Sequence, residues 1–279
     1  MPINIFRCAH ATEELNEKFV KLFKNCDILL LEHGINNDYE IQRKCISNLA
    51  KGISNYIILD NINVFYEFTE KIISFIKNSG KQIEIEKSPV SLEEFKETDK
   101  IRINSIFEFY NGNFEKAYEN KLKFHYEQAK LLRRRDLSLT EQIIKLQNEN
   151  KDKNILSVIG SNHQIYYYLR KKGVEAKQEF PYKPYIFDQE TELNRRITFN
   201  KPFTQDLVAK TFVNNIIDPY LECSGLPLNL LVEKSRKISE KLSYEDIKFL
   251  SKYLGEDFLR SKMPGEATVI WLRKKGLEI

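Results

Sequence analysis

Residues 154–180 read NILSVIGSNHQIYYYLRKKGVEAKQEF. A short apolar run, Ile155 to Ile159, ends at Gly160 and three polar residues, Ser161, Asn162 and His163. A segment with helical periodicity follows and stops at Gly173, and VEAKQEF then has the character of a strand. Strand, helix and strand in this order make a βαβ unit, the building block of a parallel sheet.

The alternation is already present upstream. INIFRCAH begins as a strand and breaks at polar residues, after which Thr12 can cap a helix with Leu15, Phe19, Leu22 and Phe23 on one face. DILLLEHG is a continuous apolar run of the kind that a strand buried on both sides shows. A helix near 38–51, a strand at NYIILD, a helix through VFYEFTEKIISFIKNSG ended by Gly80, and a strand at KQIEIEK follow. From Ser91 the character changes. Ser91 and Glu94 make a capping box, Asn111-Gly112-Asn113 turns the chain, residues 114–135 read as one long helix, and Ser138 with Glu141 makes a second box ahead of Ile143, Ile144 and Leu146. After Pro181 and Pro184 the chain reads as irregular to about 203, then as helices at 204–222, 227–241 and 244–254. ATVIWLRKK is a strand or a helix end, which so short an apolar run does not decide.

The expected fold class is therefore α/β: a central, largely parallel or mixed sheet with flanking helices, a helical insertion and a helical C-terminal lobe. The α/β domain would span 1–200 with its insertion at about 91–150, and 201–279 would form the helical extension. With 42% hydrophobic and 30% charged residues the chain is globular rather than disordered. Its net charge of +4 is spread among mixed signs, so no nucleic-acid partner is expected. No apolar run approaches the ~18 residues of a membrane span and the N-terminus lacks a leader pattern, which leads us to expect a cytoplasmic protein without a membrane partner. Cys8, Cys26, Cys45 and Cys223 lack zinc-site spacing and are read as buried thiols.

In open α/β sheets ligands bind beyond the carboxyl ends of the strands. His10 follows the first strand, Glu32 and His33 end the second, and Gly160-Ser161-Asn162-His163 ends the strand after the insertion. Imidazole and carboxylate groups converging on one rim could hold a divalent metal or supply a general base. Each has an alternative: His163 could simply begin a helix, His33 could be a solvent-side neighbour, and Cys8 could be a buried thiol. Glu32 is more informative, because a carboxylate directly after four apolar residues is expensive to bury alone. Arg133 to Asp136 could be a salt-bridged helix junction, a solvated face, or a source of an arginine that orients the rim carboxylate. Tyr166 to Tyr168 read as helix packing, and His125 as structural or exposed.

These features resemble the TraB/TIKI, ChaN-like and erythromycin-esterase-like superfamily, the TraB-like branch most. INIFRCAHATEE is similar to its first strand and histidine motif, with His10 in the histidine position; DILLLEHG supplies Glu32, RRRDLSLTEQI supplies Arg135 and Asp136, and ILSVIGSNHQIYYYLRKKGV supplies Gly160 and His163. The resemblance covers roughly residues 3–179. Arg7-Cys8-Ala9 replaces the usual Gly-Thr before the early histidine, and His33 follows the glutamate where many relatives are apolar. The superfamily includes metal-dependent TIKI proteases, lactone-opening erythromycin esterases and haem-associated ChaN-like proteins. The resemblance implies a hydrolase of an amide or ester bond in a small molecule or peptide. His10, Glu32 and His163 would hold a divalent metal ion or activate water, Arg135 and Asp136 would orient the carboxylate or bind substrate, and Gly160 would border the bound group. The alternatives are a non-catalytic ligand-binding protein, for example for haem, and a regulatory protein.

Overall fold

The computed structural model describes residues 3–32, 39–53, 66–222, 226–258 and 264–277. The helices are α1 (Glu17–Lys24), α2 (Tyr39–Ala50), α3 (Tyr66–Ile76), α4 (Leu92–Tyr110), α5 (Phe114–Glu149), α6 (Ile165–Lys171), α7 (Gln189–Thr198), α8 (Gln205–Glu222), α9 (Leu228–Glu240), α10 (Tyr244–Phe258) and α11 (Pro264–Lys274). The strands are β1 (Ile3–Cys8), β2 (Ile28–Leu31), β3 (Gln82–Ile85), β4 (Ile155–Gly160) and β5 (Ala176–Glu179). They form one sheet in the order β3-β2-β4-β1-β5, and every pairing is parallel.

The unbroken apolar run of β2 and the mostly apolar β1 and β4 follow from burial on both faces. One face, with Phe6, Leu29, Ile83, Leu156 and Val158, packs on Phe19 of α1, Leu49 of α2 and Ile72 of α3. The other, with Ile5, Leu30, Ile155 and Ile159, packs on Leu139, Ile143 and Leu146 of α5 and on Leu169 of α6. Although β4 comes late in the chain, it lies between β1 and β2. Its carboxyl end therefore emerges beside both of theirs.

The chain divides into two compact units, residues 1–95 with 131–185 and residues 96–130 with 186–279. The first contains the sheet. The second is helical, with a core that includes Phe109, Phe114, Phe212, Leu250 and Trp271; the Phe109 and Phe212 rings stack at 4.6 Å. Residues 96–130, expected inside the α/β domain, group with the C-terminal helices because Phe109, Phe114 and Ala117 find their apolar cover there.

Three local expectations change and one open alternative is decided. Thr12 opens a 3-10 turn (Thr12–Glu14), and it is Asn16 that caps α1, its side chain accepting from the Lys18 and Phe19 N–H groups. Ser138 starts no helix, since α5 runs unbroken from 114 to 149, and its hydroxyl donates to the Lys87 carbonyl at 3.3 Å. A capping box matters only where amide groups lack partners, and inside a continuing helix they have them. The stretch read as irregular holds α7, capped by Asp188, which accepts from Thr191 N–H at 2.6 Å. ATVIWLRKK, left open between strand and helix end, is helical in α11 up to Lys274. The expected strand NYIILD, His33 and Cys223 lie outside the described residues. Among the described residues no helix is long and apolar enough to cross a membrane.

Phe6 is fully buried, with its ring 5.5 Å from that of Phe19. Phe6→Ala is expected to destabilise the chain by about 3–5 kcal/mol in urea unfolding. A loss below about 1 kcal/mol would contradict this packing.

Candidate functional site

Glu32 stands one residue beyond β2, and its N–H still extends the ladder to the Val158 carbonyl at 3.0 Å. Its carboxylate is met from four directions. Oε1 accepts from His163 Nε2 at 3.0 Å and Arg135 Nη2 at 3.1 Å; Oε2 accepts from the Gly160 N–H at 2.5 Å and lies 3.4 Å from His10 Nε2. His10 follows β1, Glu32 β2, and Gly160 and His163 the end of β4, so adjacent strands deliver them to one rim.

A second layer holds the cations. Arg135, on α5, donates from Nε and Nη2 to Glu86 Oε1 and Oε2 at 2.8 and 2.5 Å, a planar fork on a carboxylate. Glu86 follows β3, with its N–H bonded to the Leu31 carbonyl at 2.8 Å. Asp136 receives His163 Nδ1 on Oδ1 and the Gln164 N–H on Oδ2, the latter at 2.8 Å. The tight turn 160–163, closed by His163 N–H on the Gly160 carbonyl at 3.1 Å, aims the His163 ring between Asp136 and Glu32.

The electrostatics separate the two histidines. Burial lowers the pKa of His10, with Glu32 opposing and His163 and Arg135 reinforcing, so the ring is neutral at pH 7. Burial would also lower His163, but Glu32 and Asp136 outweigh it and raise the ring to about 10. Glu32, which burial alone would raise, is held well below the usual carboxylate range by His163 and Arg135. Burial opposes the Arg135 charge as well, yet Glu86 and Glu32 raise it above its already high value. The side chains of His10 and Glu32 are 12% and 16% exposed, whereas those of His163 and Asp136 are 2% and 1%. Solvent therefore reaches the His10 and Glu32 edge.

The structure brings His10, Glu32, Arg135, Asp136, Gly160 and His163 together. Arg135 and Asp136 do so from within α5 rather than from a helix junction. Gly160 is set against this cluster: a Cβ there would stand 3.0 Å from Glu32 Oε2, 3.3 Å from His10 Cε1 and 3.5 Å from His163 Cδ2. Arg7 donates through Nη2 to the Ser161 carbonyl, tying β1 to the turn. Cys8 is a buried thiol that bonds the Ile159 carbonyl and has its pKa pushed up by burial. His125 is buried in the helical unit with Nδ1 2.7 Å from Asn194 Oδ1, a structural role. Sequence reading passed over Glu86, though the rule that selected Glu32, a carboxylate closing a strand, applied to it as well.

A divalent ion at His10, Glu32 and His163 would need lone pairs that these groups already commit to one another. Both His163 nitrogens face carboxylates, and an arginine occupies Glu32 Oε1. As arranged, the donor set does not fit a cation, and among the described residues no group of three or more His, Cys, Asp or Glu side chains is placed to hold one. No family model, curated protein or solved structure matches the chain.

Because the folded pKa of His163 lies above its ordinary 6.5, its ion pairs contribute stability fully below that value and lose it as pH rises through about 10. The urea midpoint should fall between pH 7 and pH 10, and fall much less in His163→Gln; equal pH dependence in the two would contradict the assignment. Gly160→Ala is expected to lower stability by about 1–3 kcal/mol in the same assay, and a neutral substitution would contradict the close approach.

Proposed function

We propose that the protein is a hydrolase of an amide or ester bond in a small molecule or peptide, with His10 as general base. The observation that carries this reading is a single carboxylate, Glu32, set between two imidazoles displaced in opposite directions, one neutral and one charged at pH 7. Surroundings that pull like groups apart in pKa are how acid–base chemistry is run at neutral pH.

Since Nε2 is the ring nitrogen that lies 3.4 Å from Glu32, the basic nitrogen of His10 in this reading is Nδ1. Water there gives its proton to the ring as its oxygen bonds to the substrate carbonyl carbon, and the Glu32 carboxylate stabilises the imidazolium that forms. The proton then passes to the leaving alcohol or amine as the carbon–oxygen or carbon–nitrogen bond breaks. His163 is too enclosed to exchange protons with substrate; with Arg135 it keeps Glu32 ionised, and Asp136 and Glu86 hold these two cations in place. A metal-dependent hydrolase using His10, Glu32 and His163 as ligands is the competing proposal, and it requires His163 to release Glu32.

With a p-nitrophenyl ester as probe, His10→Ala and Glu32→Gln should each lower kcat/KM by at least about 10²-fold. Chelator should leave the native rate unchanged, and elemental analysis should find equal metal content in the native chain, Glu32→Ala and His163→Ala. Loss of activity with chelator, restored by a divalent ion, would overturn the metal-free reading.

A further inference from the structure

His10 has φ of 64°, a left-handed backbone that L side chains adopt rarely and only when their surroundings enforce it. The enforcing group is Glu14. This carboxylate is fully buried, and its Oε2 accepts the N–H groups on either side of His10, Ala9 at 2.6 Å and Ala11 at 3.1 Å. Its Oε1 accepts from the Tyr185 hydroxyl at 3.2 Å, and its own N–H returns to the Ala11 carbonyl at 3.0 Å. Two amides flanking one residue can point at a single oxygen only if the backbone between them curls, and that curl turns the His10 ring toward Glu32 and against Phe68, 5.1 Å between centroids. The sequence spacing is His-x-x-x-Glu, four residues from ring to clamp.

We propose that Glu14 is a positioning residue, whose acceptor oxygen holds the 9–11 backbone in the form that delivers His10 to the rim. It touches neither Glu32 nor the reacting atoms and works through the two amides. Geometry rather than charge performs this role, so an amide oxygen in the same place would serve. The assignment rests on reading His10 as the base, while its test includes a readout independent of hydrolysis.

The test compares Glu14→Gln and Glu14→Ala in the full chain, following the His10 ring resonances by NMR and hydrolysis of the p-nitrophenyl ester. Glu14→Gln should keep the native His10 ring shifts and a rate within about twofold. In Glu14→Ala the His10 signals should move to those of an exposed imidazole and kcat should fall on the order of 10- to 100-fold with KM little changed, the scale of a misplaced catalytic group. His10 signals unchanged in Glu14→Ala, or displaced in Glu14→Gln as far as in Glu14→Ala, would overturn the proposal. Should Glu14→Ala fail to fold, Glu14→Asp keeps the carboxyl group but one methylene short of the amides: a displaced His10 supports the clamp and an undisturbed one overturns it. A native chain that leaves the ester intact while the NMR shifts behave as stated supports the clamp and removes the hydrolase reading alone.

Discussion

An ionised carboxylate beside a sheet covered on both faces loses much of its hydration, a cost of several kcal/mol unless opposite charge and N–H donors replace the water. Glu32 meets that condition with His163, Arg135, the Gly160 amide and His10. Each of the two strong cations must in turn be neutralised: Asp136 meets the His163 nitrogen opposite the one that faces Glu32, and Glu86 takes the Nε–Nη2 edge of Arg135, whose Nη2 also reaches Glu32. The alternation of sign across the cluster explains why so many charged side chains share so little solvent. Removing Glu32 would take one acceptor from each of His163 and Arg135, and removing either cation would leave the buried carboxylates with less opposite charge.

Strand order supplies the other requirement. Glu86, Glu32, His163 and His10 follow β3, β2, β4 and β1, four neighbouring positions in the sheet, although they are dispersed from residue 10 to residue 163. Among the described residues, the Arg135-Asp136 pair comes from outside the strand ends, presented by the part of α5 that packs Leu139, Ile143 and Leu146 on the sheet. Helix packing and charge placement are thus one event on this face. Gly160 permits this close approach, since a Cβ there would stand 3.0 Å from Glu32 Oε2 and 3.3 Å from His10 Cε1.

Much of this was legible in the sequence. The continuous apolar run of β2 and the alternation of strands with helices announced a parallel sheet, and the strand-end rule with the ordered motifs singled out His10, Glu32, Arg135, Asp136 and His163. Pairing order was not legible, because β4 takes its place between β1 and β2 through long-range packing that no local pattern records. Local capping signals misled at Thr12 and Ser138, where chain continuity and neighbouring packing decided otherwise. Two prolines drew attention from the capped helix at Gln189–Thr198. Glu14 was not legible because glutamates in short polar turns are common and only burial marks this one, whereas Glu86 closes β3 as Glu32 closes β2 and the same rule reaches it.

The site depends on opposite protonation of two histidines across one carboxylate, and a ring-nitrogen NMR titration of the native chain, with His10→Gln and His163→Gln to assign the signals, tests this most directly. At pH 7 His163 should carry protons on both nitrogens and begin to lose one only as pH approaches 10, while His10 should be neutral and titrate below 6.5. Two rings that titrate together near 6.5, or a neutral His163 at pH 7, would contradict it.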